Sequence, residues 1–230
     1  MQVYWFEQTA ADVPRVSDWL SPAESARLEA LRFARRRADW LLGRWAAKQA
    51  LSRCLSISRF REIEVSAAPS GAPEVFVAGR AAPVRISLSH RAGTAVCAVT
   101  GSQCALGCDL EAVEPHSEAF VADFFTPEEQ ELVARAPADR QLHLVNLLWS
   151  GKESALKALR CGLRMDTREV AVTAQNVTFD AALPSDAAWR PLEVRYASTQ
   201  IFRGWWRHSG ALLRTVVVSP PSAPPVMLGV

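Results

Sequence analysis

This sequence of 230 residues lacks three features, and each absence excludes a class of protein. No apolar run is long enough to span a bilayer, and the N-terminal stretch "MQVYWFEQTAADVP" has no basic segment before an apolar one. An excess of one charge is also lacking, since the net charge is +2, and the total charge therefore gives no indication of a nucleic-acid partner. Because the composition is otherwise globular, we expect a soluble cytoplasmic protein without a membrane or nucleic-acid partner.

Cysteine is also sparse, and its positions form no C-x-x-C pair of the kind that binds zinc or exchanges thiols. The five cysteines are Cys54, Cys97, Cys104, Cys108 and Cys161. An odd, scattered set indicates buried free thiols in a reducing compartment. The prolines of the C-terminal stretch "SPPSAPPVMLGV" exclude a helix there, and we predict a frayed tail.

Two segments begin helices with the same signals. "SPAESARLEALRF" from Ser21 and "TPEEQELVARA" from Thr126 each offer a hydroxyl N-cap, a proline at the first helical position and a glutamate three residues after the cap. A longer helix follows each segment, and aligning Gly43 with Gly151 matches small and apolar residues between these helices. An alternating strand then follows in both, "IEVS" and "VAVT". A duplication explains this order better than coincidence.

The duplication predicts an α+β fold of two halves related by a pseudo-twofold axis. Each half is expected to be a small, mainly antiparallel sheet packed with a long helix, and the halves are placed at residues 1–112 and 113–230. The seam between them is the natural place for an active-site cleft. A duplicated chain already contains its own twofold partner, which favours a monomer.

The last strand of the first half carries two carboxylates on one face. Asp109 and Glu111 are two residues apart, so they project together while Cys108 and Leu110 face the core. Solvent exposure explains such a pair, and so does a divalent cation, for which oxygen ligands favour Mg²⁺ or Mn²⁺ over zinc. A metal site would need a third ligand.

The helix "LLWSGKESALKALRCGL" from Leu147 offers that ligand. Trp149, Glu153 and Lys157 follow the spacing i, i+4, i+8 and share one stripe. The alternative is an exposed Glu–Lys pair with no role in a site. A phosphate loop of the Walker type is excluded, because Asn146 stands where its first glycine is required.

The first half carries basic residues that favour a phosphate ligand. Arg37, Arg44 and Lys48 lie on one helical stripe, and Arg35 and Arg36 crowd its start, although a solvated face would look the same.

Ser89 and His90 end the strand "SLSH". Neighbours on a strand point apart, which excludes a catalytic Ser–His dyad. His90 is predicted to donate to a phosphate or to pack beside the turn.

Four stretches in this order resemble the 4′-phosphopantetheinyl transferases, in particular the longer single-chain class that activates nonribosomal peptide and polyketide synthases. They are "LLGRWAAK", "SLSHRAGTAVCAV", "LGCDLEAVEP" and "LLWSGKESALKAL". Two family signatures are met, a glycine-x-aspartate-x-glutamate strand and a tryptophan-x-x-lysine-glutamate-x-x-x-lysine helix. The resemblance runs from Ser21 to Gly162 and is loose in the last third of the chain.

The resemblance implies two α+β halves with the active site between them. It also implies an enzyme that moves the phosphopantetheine arm of coenzyme A onto a serine of an acyl or peptidyl carrier protein, with Mg²⁺, and releases adenosine 3′,5′-bisphosphate. The metal ligands it implies are Asp109, Glu111 and Glu153, and we assign the serine proton to Glu153. The coenzyme A contacts it implies are Ser89 and His90, Lys157 at the pyrophosphate, and Arg35, Arg37 and, less directly, Arg44 at the 3′-phosphate.

This chain departs from the family at one basic position. Many relatives have glycine-lysine-proline where Gly71, Ala72 and Pro73 stand here, and we expect Arg80 or Arg85 to replace the missing contact.

Two other functions stay open at this point. A different Mg²⁺-dependent enzyme acting on nucleotides would share the acids and the basic stripe, whereas a non-catalytic module would only dock carrier proteins. Three gathered carboxylates and a lysine disfavour the second. Phe124 and Phe125 are candidates for the surface that docks the carrier.

Overall fold

The computed structural model describes residues 1–173, 188–197 and 200–229 of the chain. The helices in these ranges are α1 (Pro22–Glu29), α2 (Ala34–Leu55), α3 (Glu118–Phe124), α4 (Pro127–Arg135) and α5 (Ala138–Ala158). The strands are β1 (Tyr4–Thr9), β2 (Ile63–Ala67), β3 (Pro73–Val77), β4 (Arg80–Ala81), β5 (Val84–Arg91), β6 (Thr94–Gly101), β7 (Ala105–Ala112), β8 (Val170–Thr173), β9 (Arg190–Tyr196), β10 (Gln200–Ser209), β11 (Leu212–Ser219) and β12 (Val226–Met227). None of the helices described is both long and apolar enough to cross a membrane.

The strands form three sheets, which confirms the predicted α+β class. The first sheet has the order β12-β1-β6-β5, the second β7-β11-β10-β9-β8, and the third β2-β3-β4. All described strand pairs are antiparallel except β1 with β12. Helix α2 buries Ala47 and Leu51 with the first sheet, and α5 buries Leu148 and Ala155 with the second. Each half therefore has its own core around one long helix.

Strand β7 belongs to the second sheet, where it pairs with β11. The predicted division at residues 112 and 113 assigned this strand to the first half, and that division stays a prediction. β7 also contacts β5 of the first sheet, since the Ser87 hydroxyl accepts a hydrogen bond from the Cys108 backbone N–H at 2.9 Å. The strand that carries Asp109 and Glu111 thus forms the seam.

Both predicted capping boxes are present. The Ser21 hydroxyl accepts from the Glu24 backbone N–H at 3.2 Å, and the Glu24 carboxylate accepts from the Ser21 N–H at 2.9 Å. Thr126 and Glu129 make the same two bonds at 3.3 and 2.9 Å. The predicted starts of α1 and α4 are therefore confirmed.

Each capping glutamate also pairs with a fully buried lysine of the long helix. Lys48 Nζ lies 2.6 Å from Glu24 Oε2, and Lys152 Nζ lies 2.7 Å from Glu129 Oε2. Both lysines are 0% exposed, and both also donate to backbone carbonyls at the strand that follows, Ile63 for Lys48 and Val170 for Lys152. One buried ion pair thus ties the short helix, the long helix and the strand together in each half.

These ion pairs correct the predicted alignment of the two long helices. Lys48 is the counterpart of Lys152, whereas aligning Gly43 with Gly151 placed Arg44 opposite Lys152. The predicted alignment was wrong by one helical turn. Small and apolar residues repeat along both helices, so they match in several alignments. The buried lysines match in one alignment, because each pairs with the capping glutamate of its own half.

The C-terminal stretch is also not frayed in the described range. β12 pairs with β1, the Val226 N–H donates to the Val3 carbonyl at 2.9 Å, and the Leu228 N–H donates to the Trp5 carbonyl at 2.8 Å. The prediction considered only the prolines, whereas the apolar residues after them cover the edge of the first sheet.

Candidate active site

Gly107 brings strand β7 into direct contact with helix α5. A Cβ atom built on Gly107 would lie 1.8 Å from the Ser154 carbonyl oxygen and 2.6 Å from the Ala158 nitrogen, so only glycine fits between the two backbones. As predicted, Cys108 and Leu110 of this strand are buried in the core. Asp109 and Glu111 are on the opposite face, within reach of the side chains of α5.

Asp109 is the most enclosed of the predicted acids, with 2% of its surface exposed. Its Oδ1 atom accepts from the Ser89 hydroxyl at 2.8 Å and from Lys157 Nζ at 2.7 Å, and its Oδ2 atom accepts from the Ser150 hydroxyl at 2.8 Å. A buried carboxylate needs such partners because burial otherwise disfavours its charge. Strand β5, strand β7 and helix α5 therefore meet at this one side chain.

Lys157 connects two of the acids. Its Nζ atom lies 2.7 Å from Asp109 Oδ1 and 3.6 Å from Glu153 Oε2. Burial acts against the charged amine, but the carboxylates of Asp109 and Glu153 outweigh it and raise the pKa of Lys157. Lys157 is therefore a cation at the seam.

Glu111 and Glu153 are partly buried, and the negative charge of Asp109 disfavours the charged form of both side chains. Burial and then the charge of Asp109 raise the pKa of Glu111 to about 7, although Arg91 opposes the shift. Burial and the charge of Asp109 also raise the pKa of Glu153, and Lys157 opposes that shift. Glu111 accepts a hydrogen bond from Trp149 Nε1 at 3.2 Å, so the tryptophan of the predicted stripe orients one of the acids.

The donor set fits a hard divalent cation. Within the described ranges, no group of three or more His, Cys, Asp or Glu side chains is already arranged to hold a metal ion. The site nevertheless gathers oxygen donors whose negative charges destabilise one another, and a cation relieves that repulsion. Mg²⁺ commonly binds through one or two carboxylates together with waters and substrate phosphates, so a complete protein cage is not required.

A cavity of 550 Å³ adjoins the acids, within the size range of small-molecule sites. Lys157 lines this cavity and also contacts Asp109, so this one side chain joins the cavity to the acids. In the part of the chain that the structure describes, the charged residues that line it are Arg44, Glu74, Arg85, Lys157 and Arg160. Four cations against one carboxylate favour an anionic ligand.

The basic residues predicted to contact coenzyme A are not all near this cavity. Arg44 lines it, whereas Arg37 donates to the carbonyls of Leu28 and Leu31 at 2.6 and 3.3 Å and so holds the end of α1. Arg35 is exposed at the start of α2 and does not line the cavity. Of the three arginines, only Arg44 lines the cavity.

Ser89 and His90 are separated as strand geometry requires. Ser89 donates to Asp109, while His90 is exposed on the other face of β5. Of the two arginines expected to replace a basic residue at Ala72, Arg85 lines the cavity and Arg80 does not. Ala72 is itself part of the lining, so the departure from the family pattern falls within the site.

Ser150 and Arg91 were not predicted, and both hold acids. Ser150 donates to Asp109, and Arg91 Nε lies 3.6 Å from Glu111 Oε2. The sequence did contain a signal for Ser150, because Ser150 and Ser154 place hydroxyls four residues apart on the otherwise apolar side of α5. No local pattern marks Arg91.

The chain matches known proteins over the segment that contains this site. Residues 105–213 match the model of the 4′-phosphopantetheinyl transferase superfamily. A holo-[acyl-carrier-protein] synthase of Streptococcus sanguinis is 37% identical over 84 residues, which are 35% of this chain and 69% of that protein. The 4′-phosphopantetheinyl transferase HetI of Nostoc sp. is 27% identical over 191 residues, 82% of this chain and 78% of that protein.

A solved structure was also found. The holo-[acyl-carrier-protein] synthase of Helicobacter pylori, crystallised with coenzyme A, aligns with a TM-score of 0.36 and 20% identity, over 44% of this chain and 100% of that chain. On the sequence matches, the chain belongs to the 4′-phosphopantetheinyl transferase superfamily and is a transferase. The predicted family is confirmed, and the non-catalytic docking module is excluded.

Proposed function

We propose that this enzyme transfers the 4′-phosphopantetheine group of coenzyme A to a serine of an acyl or peptidyl carrier protein. The observation that carries the proposal is the meeting of Asp109, Glu153 and Lys157 beside a cavity with four cationic side chains. This arrangement suits a polyanionic substrate whose reacting phosphate reaches the acids. The named relatives, a phosphopantetheinyl transferase and a holo-carrier synthase, support the same reaction.

The transfer balances as a phosphoryl substitution. The serine hydroxyl oxygen forms a bond to the phosphorus that bears pantetheine, and the bond from that phosphorus to the bridging oxygen breaks. Adenosine 3′,5′-bisphosphate leaves with the bridging oxygen, and the serine proton passes to a base. We assign that base to Glu153, directly or through a water, since burial and Asp109 raise its pKa and make it a better proton acceptor.

The remaining site residues bind and orient. Lys157 would stabilise the charge of the pyrophosphate, because its amine lies at the junction of the cavity and the acids. Ser89 and Ser150 hold Asp109 in place from two sides. Arg44 would contact the phosphates of coenzyme A. For Arg35, Arg37 and His90, a contact with coenzyme A remains an expectation from the family resemblance.

We further propose that Asp109, Glu111 and Glu153 hold Mg²⁺, or Mn²⁺, together with oxygens of the substrate. The oxygen-only donor set and the mutual repulsion of the acids support this assignment. When bound, such an ion supplies positive charge at the pyrophosphate during transfer.

The carrier would dock beside the acids at an aromatic cluster. Phe120 and Phe124 lie 4.9 and 5.3 Å from the Trp149 ring, and Phe124 is 36% exposed. Phe125, the other candidate, is 0% exposed, so the prediction that it forms docking surface was wrong. Its side chain fills the core under Lys152 instead. Carriers of nonribosomal peptide or polyketide synthases are the expected class.

A cytoplasmic monomer remains our proposal for the state of the protein. It is supported by the five cysteines, which are all free and of which three are buried, and by the duplicated plan.

The experiment is to incubate the protein with coenzyme A, Mg²⁺ and several carrier proteins and to measure the carrier mass. A gain of one phosphopantetheine group is expected, together with a loss of about 10²–10⁴-fold in rate for Glu153→Gln, the usual contribution of a general base. The matched control is Glu131→Gln, an exposed glutamate of α4 that pairs with Arg135. Turnover of coenzyme A without any gain in carrier mass would instead favour an enzyme acting on nucleotides.

A further inference from the structure

Arg160 ends helix α5 in a backbone conformation that arginine rarely adopts. The Arg160 N–H donates to the Lys157 carbonyl at 3.0 Å, and the Cys161 N–H donates to the Leu156 carbonyl at 3.2 Å. The φ angle of Arg160 is +59°. This is a Schellman ending, in which the left-handed residue is usually glycine because a Cβ atom is disfavoured there. A side chain kept at this position at a cost to stability requires a reason.

The fold itself does not supply that reason. Helix α2 of the first half ends in the same way, and the equivalent left-handed residue is Ser56, with φ +55° and the Ile57 N–H donating to the Ser52 carbonyl at 3.0 Å. The duplicated ending thus forms without a long or charged side chain. What Arg160 adds is its guanidinium group.

That group crosses the seam into the cavity. Arg160 lines the cavity, and its Nη2 atom lies 3.5 Å from Glu74 Oε1 of the first half, with the two side chains 35% and 44% exposed. An ion pair this long and this exposed contributes little to stability, so it does not account for the strained backbone either. Glu74 is also the one carboxylate among the described residues that line the cavity.

The surrounding charges indicate what the guanidinium would bind. Lys157 and Arg160 both line the cavity from the end of α5. Across the cavity, Arg44 and Arg85 also line the wall, and Arg44 Nε, which makes no hydrogen bond, lies 3.8 Å from Glu24 Oε1. Cations from both halves therefore face one space, and a phosphate group is the ligand for which a planar guanidinium is best suited.

We propose that Arg160 is a substrate-binding residue that releases Glu74 and binds a phosphate of coenzyme A. The inference rests on the proposed function, since that function supplies the substrate. Glu74 holds the guanidinium over the cavity before the substrate arrives, and it also repels the phosphates that replace it. The charge-assisted contact with phosphate, frequently bidentate for arginine, is stronger than the 3.5 Å pair with Glu74.

The test measures coenzyme A binding to Arg160→Gly by calorimetry, with the full chain. Glycine suits the left-handed position, so a rise in Tm of about 2–4 °C is expected. Loss of the guanidinium is expected to weaken coenzyme A binding about 3- to 10-fold, as for one charge-assisted contact in a partly exposed site. Binding of pantetheine, which has no phosphate, should not change. Glu74→Gln should strengthen coenzyme A binding about 2- to 5-fold by removing a repulsive charge.

The matched control is Arg164→Gly. Arg164 also crosses the seam, donating to the Ser70 carbonyl at 2.8 Å, but it is not among the residues that line the cavity. Unchanged coenzyme A affinity in Arg160→Gly, or an equal loss for pantetheine, would overturn the inference. If Arg160→Gly folds poorly, Arg160→Gln replaces it in the same two binding measurements, and an unchanged coenzyme A affinity in that variant overturns the inference.

The two proposals fail in different ways. If the wild-type protein binds coenzyme A but modifies no carrier, the proposed function is contradicted. The role of Arg160 is then still decided by the coenzyme A affinities of the variants. Transfer to a carrier at an unchanged coenzyme A affinity in Arg160→Gly contradicts the role of Arg160 alone. A wild-type protein that does not bind coenzyme A overturns both.

Discussion

The long helices of the two halves share a tryptophan and a lysine in one turn and carry different polar residues in the next. When Lys48 is aligned with Lys152, Trp45 also matches Trp149, and "WAAKQALSR" of α2 corresponds to "WSGKESALK" of α5. The buried lysine is common to both halves. One residue later, α2 has Gln49 where α5 has Glu153, and four residues after that, α2 has Arg53 where α5 has Lys157.

The residues that differ, Gln49 and Arg53 in α2 and Glu153 and Lys157 in α5, make different contacts in the two halves. In α2, Arg53 donates to the Gln49 side chain and to the Gly229 carbonyl, and its guanidinium lies 4.6 Å from the centre of the Phe6 ring. In α5, Lys157 pairs with Glu153 and Asp109 at the seam. The lysine-glutamate signature therefore combines two kinds of contact, since Lys152 pairs with Glu129 in the core while Glu153 and Lys157 lie at the seam, where we propose the site.

The largest effect is expected at the buried lysine that the long helices of both halves share. Lys48→Met and Lys152→Met each leave a glutamate buried without its cation, and each is expected to lower the free energy of unfolding by about 3–5 kcal/mol. Both values would be measured by urea denaturation. Arg59→Met is the control, because Arg59 is 82% exposed and its pair with Glu62 contributes little. A loss confined to one of the two lysines would break the equivalence of the halves.

The next effect tests the contact that brings α5 onto the acids. Gly107→Ala places a methyl group against the Ser154 carbonyl, so α5 must move away from β7, and a loss of about 1–3 kcal/mol is expected for such overpacking. Because Asp109 is held from α5, the rate of transfer should fall by more than the loss of folded protein explains. Gly101→Ala is the control, since a Cβ atom there meets nothing within 4 Å. Equal stability of the two variants would contradict the close contact.

Features with a local signal could be predicted from the sequence. The capping boxes follow from residues three apart, and the two faces of β7 follow from its alternation, which placed Asp109 opposite Cys108. The stripe of Trp149, Glu153 and Lys157 follows from helical spacing, and the structure places all three beside Asp109 or Glu111.

Features that depend on distant partners could not be predicted. The alignment of the long helices is decided by buried lysines whose glutamates lie on other helices, and the sheet to which β7 belongs is decided by pairing with β11 about 100 residues later in the chain. Arg37 looked like a phosphate ligand because its partners, the carbonyls at the end of α1, are backbone atoms that composition does not reveal. Such contacts appear only once the chain has folded.

The smallest effect is expected at Arg53, in the turn where the long helices of the two halves differ. Arg53→Ala removes an exposed hydrogen bond to Gly229 and the contact with the Phe6 ring, and a loss of less than about 1 kcal/mol is expected. Lys157→Ala at the equivalent position should instead abolish most transfer, because the cation between Asp109 and Glu153 is removed. Thermal unfolding and carrier mass would be measured for both variants. If Arg53→Ala reduced transfer as strongly as Lys157→Ala, the two turns would have the same role, and the comparison of the helices would be wrong.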